Sequence, residues 1–171
     1  METYVVAFDT YSEAREAVDA VTAEGFPEDA INVIVQKSIA KSSAEVNGKT
    51  IRAEKSDAHG DPQAHGLDAI VAGKDTVVTE DAGEIVPAGE VARILAKAAS
   101  GTSRGVGTLE ASLAESGVPR TLAHNHAARL AAGGVVLMLL FRDDCNRRAL
   151  MALDPYHPRD GARTRRRGAD R

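Results

Sequence analysis

The C-terminal end of the chain is rich in arginine, a residue type suited to binding phosphate. The guanidinium group is planar and always charged, and its fork of N–H donors matches a phosphate in bidentate geometry. Six arginines follow residue 158, and two more join them if the last helix presents its outer side to solvent. This candidate nucleic-acid-binding set is Arg159, Arg163, Arg165, Arg166, Arg167, Arg171, Arg147 and Arg148.

Charge is divided unevenly along the chain. Residues 159–171 carry six arginines and two aspartates, a charge of +4, so residues 1–158 carry −8 of the overall −4. Disordered arginine-rich segments bind RNA and single-stranded DNA through sequence-independent contacts to the backbone. Two plainer interpretations stay open: the segment keeps the protein soluble, or it pairs with its own acidic body.

Histidines supply the other ligand types of interest. His59 and His65 lie close to three aspartates, and such groups bind metals. Their spacing matches no established metal site, and a polar loop rich in Gly and Pro has the same composition. His124 and His126 are two apart on a predicted helix and so do not share a face. We predict no metal site, and a partly buried structural role for His126.

No reaction centre emerges from the remaining motifs. The Gly-rich stretch 101–107 lacks the lysine of a phosphate-binding loop and follows a helix, not a strand, so it is better explained as a helix stop and a linker. Cys145 has two aspartates before it and no base tied to it, which argues against a nucleophilic thiol. We therefore predict a protein with no catalytic activity and no cofactor.

Two apolar runs near the ends of the chain predict the centre of the fold. Val135–Phe141 is bounded by glycines and an acidic turn, and it is far shorter than the roughly 20 residues that cross a membrane. Such a run predicts a strand buried on both faces in the middle of a sheet. Tyr4–Phe8 is its counterpart, and each run is followed by an acidic turn and an amphipathic helix.

This pairing predicts an α+β protein in which a pseudo-symmetric pair of βα units shares one sheet, with ferredoxin-like βαβ elements. The halves are residues 1–35 and 117–158, and 36–116 is a long insertion between them. Together they form a single domain over 1–158. Residues 159–171 lack apolar anchors, so we expect a disordered basic tail.

In the first half, the spacing of Thr10 and Glu13 predicts a capping box at the start of a helix that ends at Gly25. Ile31–Val35 is then a second strand, parallel to the first. In the insertion, Val46–Ile51 carries the Asn-Gly signal of a hairpin.

Further along the chain, residues 57–66 read as loop and 76–79 as an edge strand. Helical periodicity predicts helices over 88–99 and 109–116, and another that begins near Pro119. A final helix follows Asp143 and Asp144, and it ends at the prolines after Leu153.

A family resemblance rests on two stretches. The first runs from Val6 through Gly25-Phe26-Pro27 to Ile34, and it resembles the N-terminal signature of bacterial heat-induced general stress proteins. The second, Gly117-Val118-Pro119 with Ala132-Gly133-Gly134-Val135-Val136-Leu137, looks like the second signature of that family. The resemblance implies a fold and a stress-induced role, not a reaction. This chain has a charged middle where members commonly have a Gly/Ala-rich one, and His126 where a Tyr is often seen.

We therefore expect a cytoplasmic, non-enzymatic stress-response protein whose arginine-rich tail binds single-stranded nucleic acid, RNA in preference to DNA, with no membrane partner. The alternative is a chaperone-like module that binds peptides or unfolded protein at a sheet edge, for which 76–79 and 31–35 are the candidates. The sequence sets no oligomeric state.

Overall fold

A computed structural model describes residues 2–43, 66–72, 74–101, 108–141, 146–156 and 162–165. Over these ranges the protein is an α+β fold with one antiparallel sheet, in the order β3-β4-β2-β5-β1-β6. The strands are β1 Glu2–Phe8, β2 Ile31–Gln36, β3 Val77–Thr79, β4 Gly83–Ala88, β5 Val135–Phe141 and β6 Ala162–Arg165. The helices are α1 Tyr11–Ala23, α2 37–43, α3 Leu67–Val71, α4 Glu90–Gly101, α5 Leu109–Glu115, α6 Arg120–Ala131 and α7 Asn146–Leu153.

Strand β5 lies inside the sheet, as predicted. It pairs antiparallel with β1 on one side, where Val5 faces Met138, and with β2 on the other, where Val33 faces Leu137. Six of its seven residues are buried, because helices cover both faces of the sheet. An uninterrupted apolar run is the sequence that such a position requires.

The two faces carry separate cores because successive residues of a strand point to opposite sides. Val6 and Phe8 of β1 pack on the side of α1, α3 and α7. Val5 and Ala7 pack on the side of α4, α5 and α6. We call these the α7 face and the α4 face.

Helix α1 forms as predicted. The Thr10 hydroxyl accepts the Glu13 N–H at 3.2 Å, and the buried stripe is Ala14, Ala17, Val18 and Val21. Gly25 ends the helix with φ +83°, and the Phe26 N–H donates to the Val21 carbonyl. Strands β1 and β2 lie in one sheet, and because β5 is antiparallel to both, they run parallel with β5 between them.

The insertion extends the sheet beyond β2. Strand β4 pairs with β2, and β3 pairs with β4 and forms one edge of the sheet. The edge position predicted for 76–79 is therefore confirmed. The edge position predicted for 31–35 is wrong, because β4 occupies the free side of β2. Residues 46–51 and 57–65 lie outside the described residues.

The second helical layer forms where the periodicity predicted helices. Val91 and Leu95 of α4, Leu113 of α5 and Leu130 of α6 are buried against the sheet. Gly134 joins α6 to β5, and a Cβ there would lie 2.5 Å from the Phe8 carbonyl oxygen. Gly134 is therefore required by the close approach of the β1 backbone, and Gly133 by its φ of +98°.

Candidate nucleic-acid interface

Part of the arginine-rich segment is a strand. Residues Ala162–Arg165 pair antiparallel with Glu2–Val5 of β1 and form the edge of the sheet opposite β3. Our expectation of disorder over 159–171 is therefore wrong for these four residues. It failed because a sheet edge offers backbone N–H and C=O groups, and pairing with them requires no apolar side chain.

The register fixes where two of the predicted arginines stand. Arg163 lies opposite Tyr4, and Arg165 lies opposite Glu2. Directly opposed positions share a face of the sheet, and Tyr4 packs against the core of the α7 face. Positions 163 and 165 therefore belong to the α7 face.

Helix α7 lies on that same face and carries two more of the predicted residues. Its buried side is Ala149 and Leu153, and Arg148 is exposed on its outer side. Arg147 is the preceding residue of the helix. The fold thus brings Arg147, Arg148, Arg163 and Arg165 to one face of the sheet. The other predicted residues, Arg159, Arg166, Arg167 and Arg171, lie outside the described residues, as do Cys145, His59 and His65.

A polar cluster occupies the far side of the α7 face, between α1 and α3. The Tyr11 hydroxyl donates to Asp68 Oδ1 at 2.7 Å, and the Arg15 Nε lies 3.5 Å from Asp68 Oδ2. Burial raises the pKa of Tyr11 well above its ordinary value, and the hydrogen bond and charge of Asp68 raise it further, against the opposing charge of Arg15. Tyr11 is therefore a fixed hydrogen-bond donor at neutral pH.

Asn32 provides a helix cap on the α4 face. Its Oδ1 accepts the backbone N–H of Val91 at 3.0 Å, so a side chain near the start of β2 caps helix α4. Gly89 makes this possible, because a Cβ there would lie 2.5 Å from that oxygen.

A cleft opens beside this cap. It is lined by Thr3, Asn32, Glu90, Val91, Ile94, Ser116, Met138 and Leu140. Its volume of about 30 Å³ is space for about two water molecules.

Asp81 caps a second helix, although it is far from that helix in the chain. Both of its carboxylate oxygens accept backbone N–H groups at the start of α5, from Leu109 at 2.7 Å and from Glu110 at 2.9 Å. The turn between β3 and β4 is thereby tied to the helical layer. Neither this contact nor those of Asn32 and Asp68 carries a sequence signal, because the partners are far apart in the chain.

The two histidines of α6 lie in different environments. His126 is fully buried, which goes further than the partial burial that we predicted. His124 is exposed, and its Nδ1 lies 3.1 Å from Glu110 Oε2. Within the described ranges, no group of three or more His, Cys, Asp or Glu could hold a metal ion.

Comparison with known proteins adds no assignment. The chain matches no protein-family model, no curated protein and no solved structure. Among the helices of the described residues, none is long and apolar enough to cross a membrane.

Proposed function

We propose that this is a non-enzymatic, cytoplasmic stress-response protein that binds single-stranded nucleic acid, RNA in preference to DNA, through its arginine-rich C-terminal segment. The observation that carries the proposal is the arrangement of β6 and α7, because it supports a shared basic face containing Arg148, Arg163 and Arg165. Guanidinium groups on one face match the repeated phosphates of a nucleic-acid backbone.

Electrostatics favours one side of the α7 face. Helix α1 exposes Glu13, Glu16 and Asp19, which repel phosphate. Helix α1 connects β1 to β2 and therefore crosses β5, which lies between them in the sheet. Helix α7 leads from β5 towards β6 and therefore crosses β1. The acidic helix α1 thus lies on the side away from β6. A strand of RNA on this face would therefore follow the β6 edge.

Fluorescence anisotropy of a labelled oligouridine, titrated with full-length protein at several salt concentrations, tests this function. If about five phosphates are engaged, log K falls with log salt at a slope of about −3 to −4. The double variant Arg163→Gln, Arg165→Gln should bind more weakly, and its slope should flatten by about 0.7 for each phosphate that is no longer bound.

A matched control is available on the opposite side of the sheet. Arg93 of α4 and Arg120 of α6 are exposed, and changing both to Gln removes the same charge. This control should keep its affinity within about twofold, since exposed charges beyond a Debye length are largely screened. Equal losses of affinity in the two double variants would show that the effect comes from net charge alone. Absence of binding by the unaltered protein would refute the function.

A second candidate function is peptide binding at the β3 edge. Val78 of this edge strand is 52% exposed, and an unpaired edge strand can accept an extended peptide or a segment of unfolded protein. Such binding would survive high salt, unlike binding through arginines. Val78→Lys should abolish it, whereas Met151→Lys, at a residue exposed on α7, should not.

We further infer that the halves 1–35 and 117–158 are a pseudo-symmetric pair of βα units, with 36–116 inserted between them. Three features support this: β1 and β5 are antiparallel neighbours, α1 contacts α7 on one face, and β2 pairs with β5 as β6, which follows the second half in the chain, pairs with β1. Under this inference, one rotation superimposes β1 on β5 and also α1 on α7. The inference would be contradicted by an experimental structure in which that rotation does not superimpose the two helices.

A further inference from the structure

Strand β6 alternates between arginine and smaller residues. Its sequence is Ala162-Arg163-Thr164-Arg165, and its pairing with β1 holds the backbone extended. Successive residues of a strand belong to opposite faces of the sheet, and the rise is about 3.3 Å per residue. The two arginine positions therefore share the α7 face at a separation of about 6.6 Å, and the positions of Ala162 and Thr164 belong to the α4 face.

We propose that paired β6 is itself the binding element, and that Arg163 and Arg165 bind neighbouring phosphates of a single strand of RNA lying along the sheet edge. This inference rests on the function proposed above and specifies its mechanism. In a flexible basic tail, an arginine at any position can bind phosphate. In a paired strand, only the arginines on the α7 face can bind it.

Pairing also explains how a short segment could bind firmly. A free tail loses backbone conformational entropy for every residue that becomes ordered on binding. In β6 the contacts with β1 have already fixed the backbone of these four residues. RNA binding then has only side chains to order.

The opposite face of β6 has no arginine position. Thr164 lies opposite Thr3, a buried residue that lines the cleft beside Glu90. An arginine at position 164 would therefore stand on the α4 face, away from Arg148 of α7 and from the positions of Arg163 and Arg165. This asymmetry makes the two faces of β6 distinguishable by experiment.

The test exchanges two neighbouring residues in the full-length protein. The double variant Arg163→Thr, Thr164→Arg keeps composition and net charge but moves one arginine to the other face. We expect about tenfold weaker binding of labelled oligouridine, the loss expected for one charge-assisted hydrogen bond, and a salt slope flatter by about 0.7. Arg163→Lys, which keeps a cation at position 163, should lose less.

A second variant removes the pairing and keeps every arginine. Thr164→Pro lacks a backbone N–H and disrupts strand pairing, which hydrogen exchange at the Glu2–Val5 amides would register. We expect it to bind RNA more weakly than the unaltered protein.

The outcomes separate the two proposals. Unchanged affinity in both the exchange variant and Thr164→Pro would show that the segment acts as a flexible tail, which overturns this inference and leaves the proposed function standing. No binding by the unaltered protein would overturn both. Weaker binding in both variants, with the Arg93→Gln, Arg120→Gln control unaffected, would support the strand mechanism.

Discussion

Individual polar residues connect parts of this fold that are far apart in the chain. Asn32 is 1% exposed on a strand whose other buried residues are apolar, and its oxygen satisfies a backbone N–H of α4 that would otherwise lack its cap. A buried polar group is tolerated when it is hydrogen-bonded, and removing its partner leaves the full desolvation penalty behind. Asn32 therefore stabilises the sheet and the α4 layer together.

Asn32→Ala should lower the free energy of unfolding by about 1–3 kcal/mol, because the Val91 N–H loses its acceptor in a buried place. Thr10→Ala removes a comparable but exposed cap from α1 and should cost about 1 kcal/mol or less. Urea denaturation of both variants measures the difference. Equal losses would show that burial adds nothing to the Asn32 cap.

Tyr11 makes stability depend on alkaline pH. Burial, then the hydrogen bond to Asp68, raises its pKa in the folded state. A group with a raised folded pKa contributes stability that is complete below its unfolded pKa, about 10 for tyrosine, and is lost as the pH rises towards the folded value.

Tyr11→Phe should therefore be less stable than the unaltered protein by about 1 kcal/mol at pH 7. The difference should hold up to about pH 10 and shrink above it. Urea denaturation of both proteins over this pH range checks the prediction. A constant difference up to about pH 11 would contradict the role of the tyrosine proton.

At the scale of elements, α5 depends on groups outside itself. The helix has seven residues, too few to be stable alone in water. Asp81 accepts two of its first N–H groups, and Thr108 accepts that of Ala111. The β3–β4 turn thus fixes where this helix begins.

Asp81→Ala should destabilise the protein by about 2 kcal/mol and speed amide exchange at the start of α5, because two donors lose their acceptor. Asp81→Asn keeps one acceptor oxygen and should lose about half as much. Urea denaturation with site-resolved hydrogen exchange measures both effects. Identical losses in the two variants would argue against hydrogen-bond acceptance as the cause.

The elements that were predictable are those with a strong local pattern. Helices α1, α4, α5, α6 and α7 carry apolar periodicity and recognisable ends, and β1, β2 and β5 carry apolar runs. Helix α3 is only five residues long, too short to show periodicity. Strand β4 contains Pro87, which argues against a strand, although it pairs with Ile34.

The candidate site was predictable in composition but not in conformation. The arginine cluster supplied the candidate residues, since charge can be counted in the sequence, and their binding role stays a prediction. Strand β6 could not be identified, because its partner β1 lies at the other end of the chain and its own residues have no apolar alternation. The same distance hides the contacts of Asn32 and Asp81.

At the scale of the whole molecule, the strands at the edges of the sheet are shorter than the central strand β5 and have fewer partner strands. Strand β5 has partners on both sides and a nearly fully buried run, whereas β3 has three residues and β6 has four. Local opening requires least free energy where few contacts must be broken.

Native-state hydrogen exchange should follow this gradient. Amides of β5 should exchange slowest, at a rate set by global unfolding, and those of β3 and β6 fastest among the strands. If RNA binds along β6, saturating oligouridine should slow exchange in β6 and leave β3 unchanged. Protection of β3 instead would indicate binding at the other edge.

The position of β1 has a consequence for synthesis on the ribosome. Both of its partners, β5 and β6, come from the last part of the chain. Translation adds about 5–20 residues per second, so this apolar strand waits on the order of ten seconds before a partner exists. During that time the nascent chain exposes an unpaired Val-Val-Ala-Phe segment, the kind of sequence that chaperones shield. Strand β1 is therefore synthesised long before either of its partners.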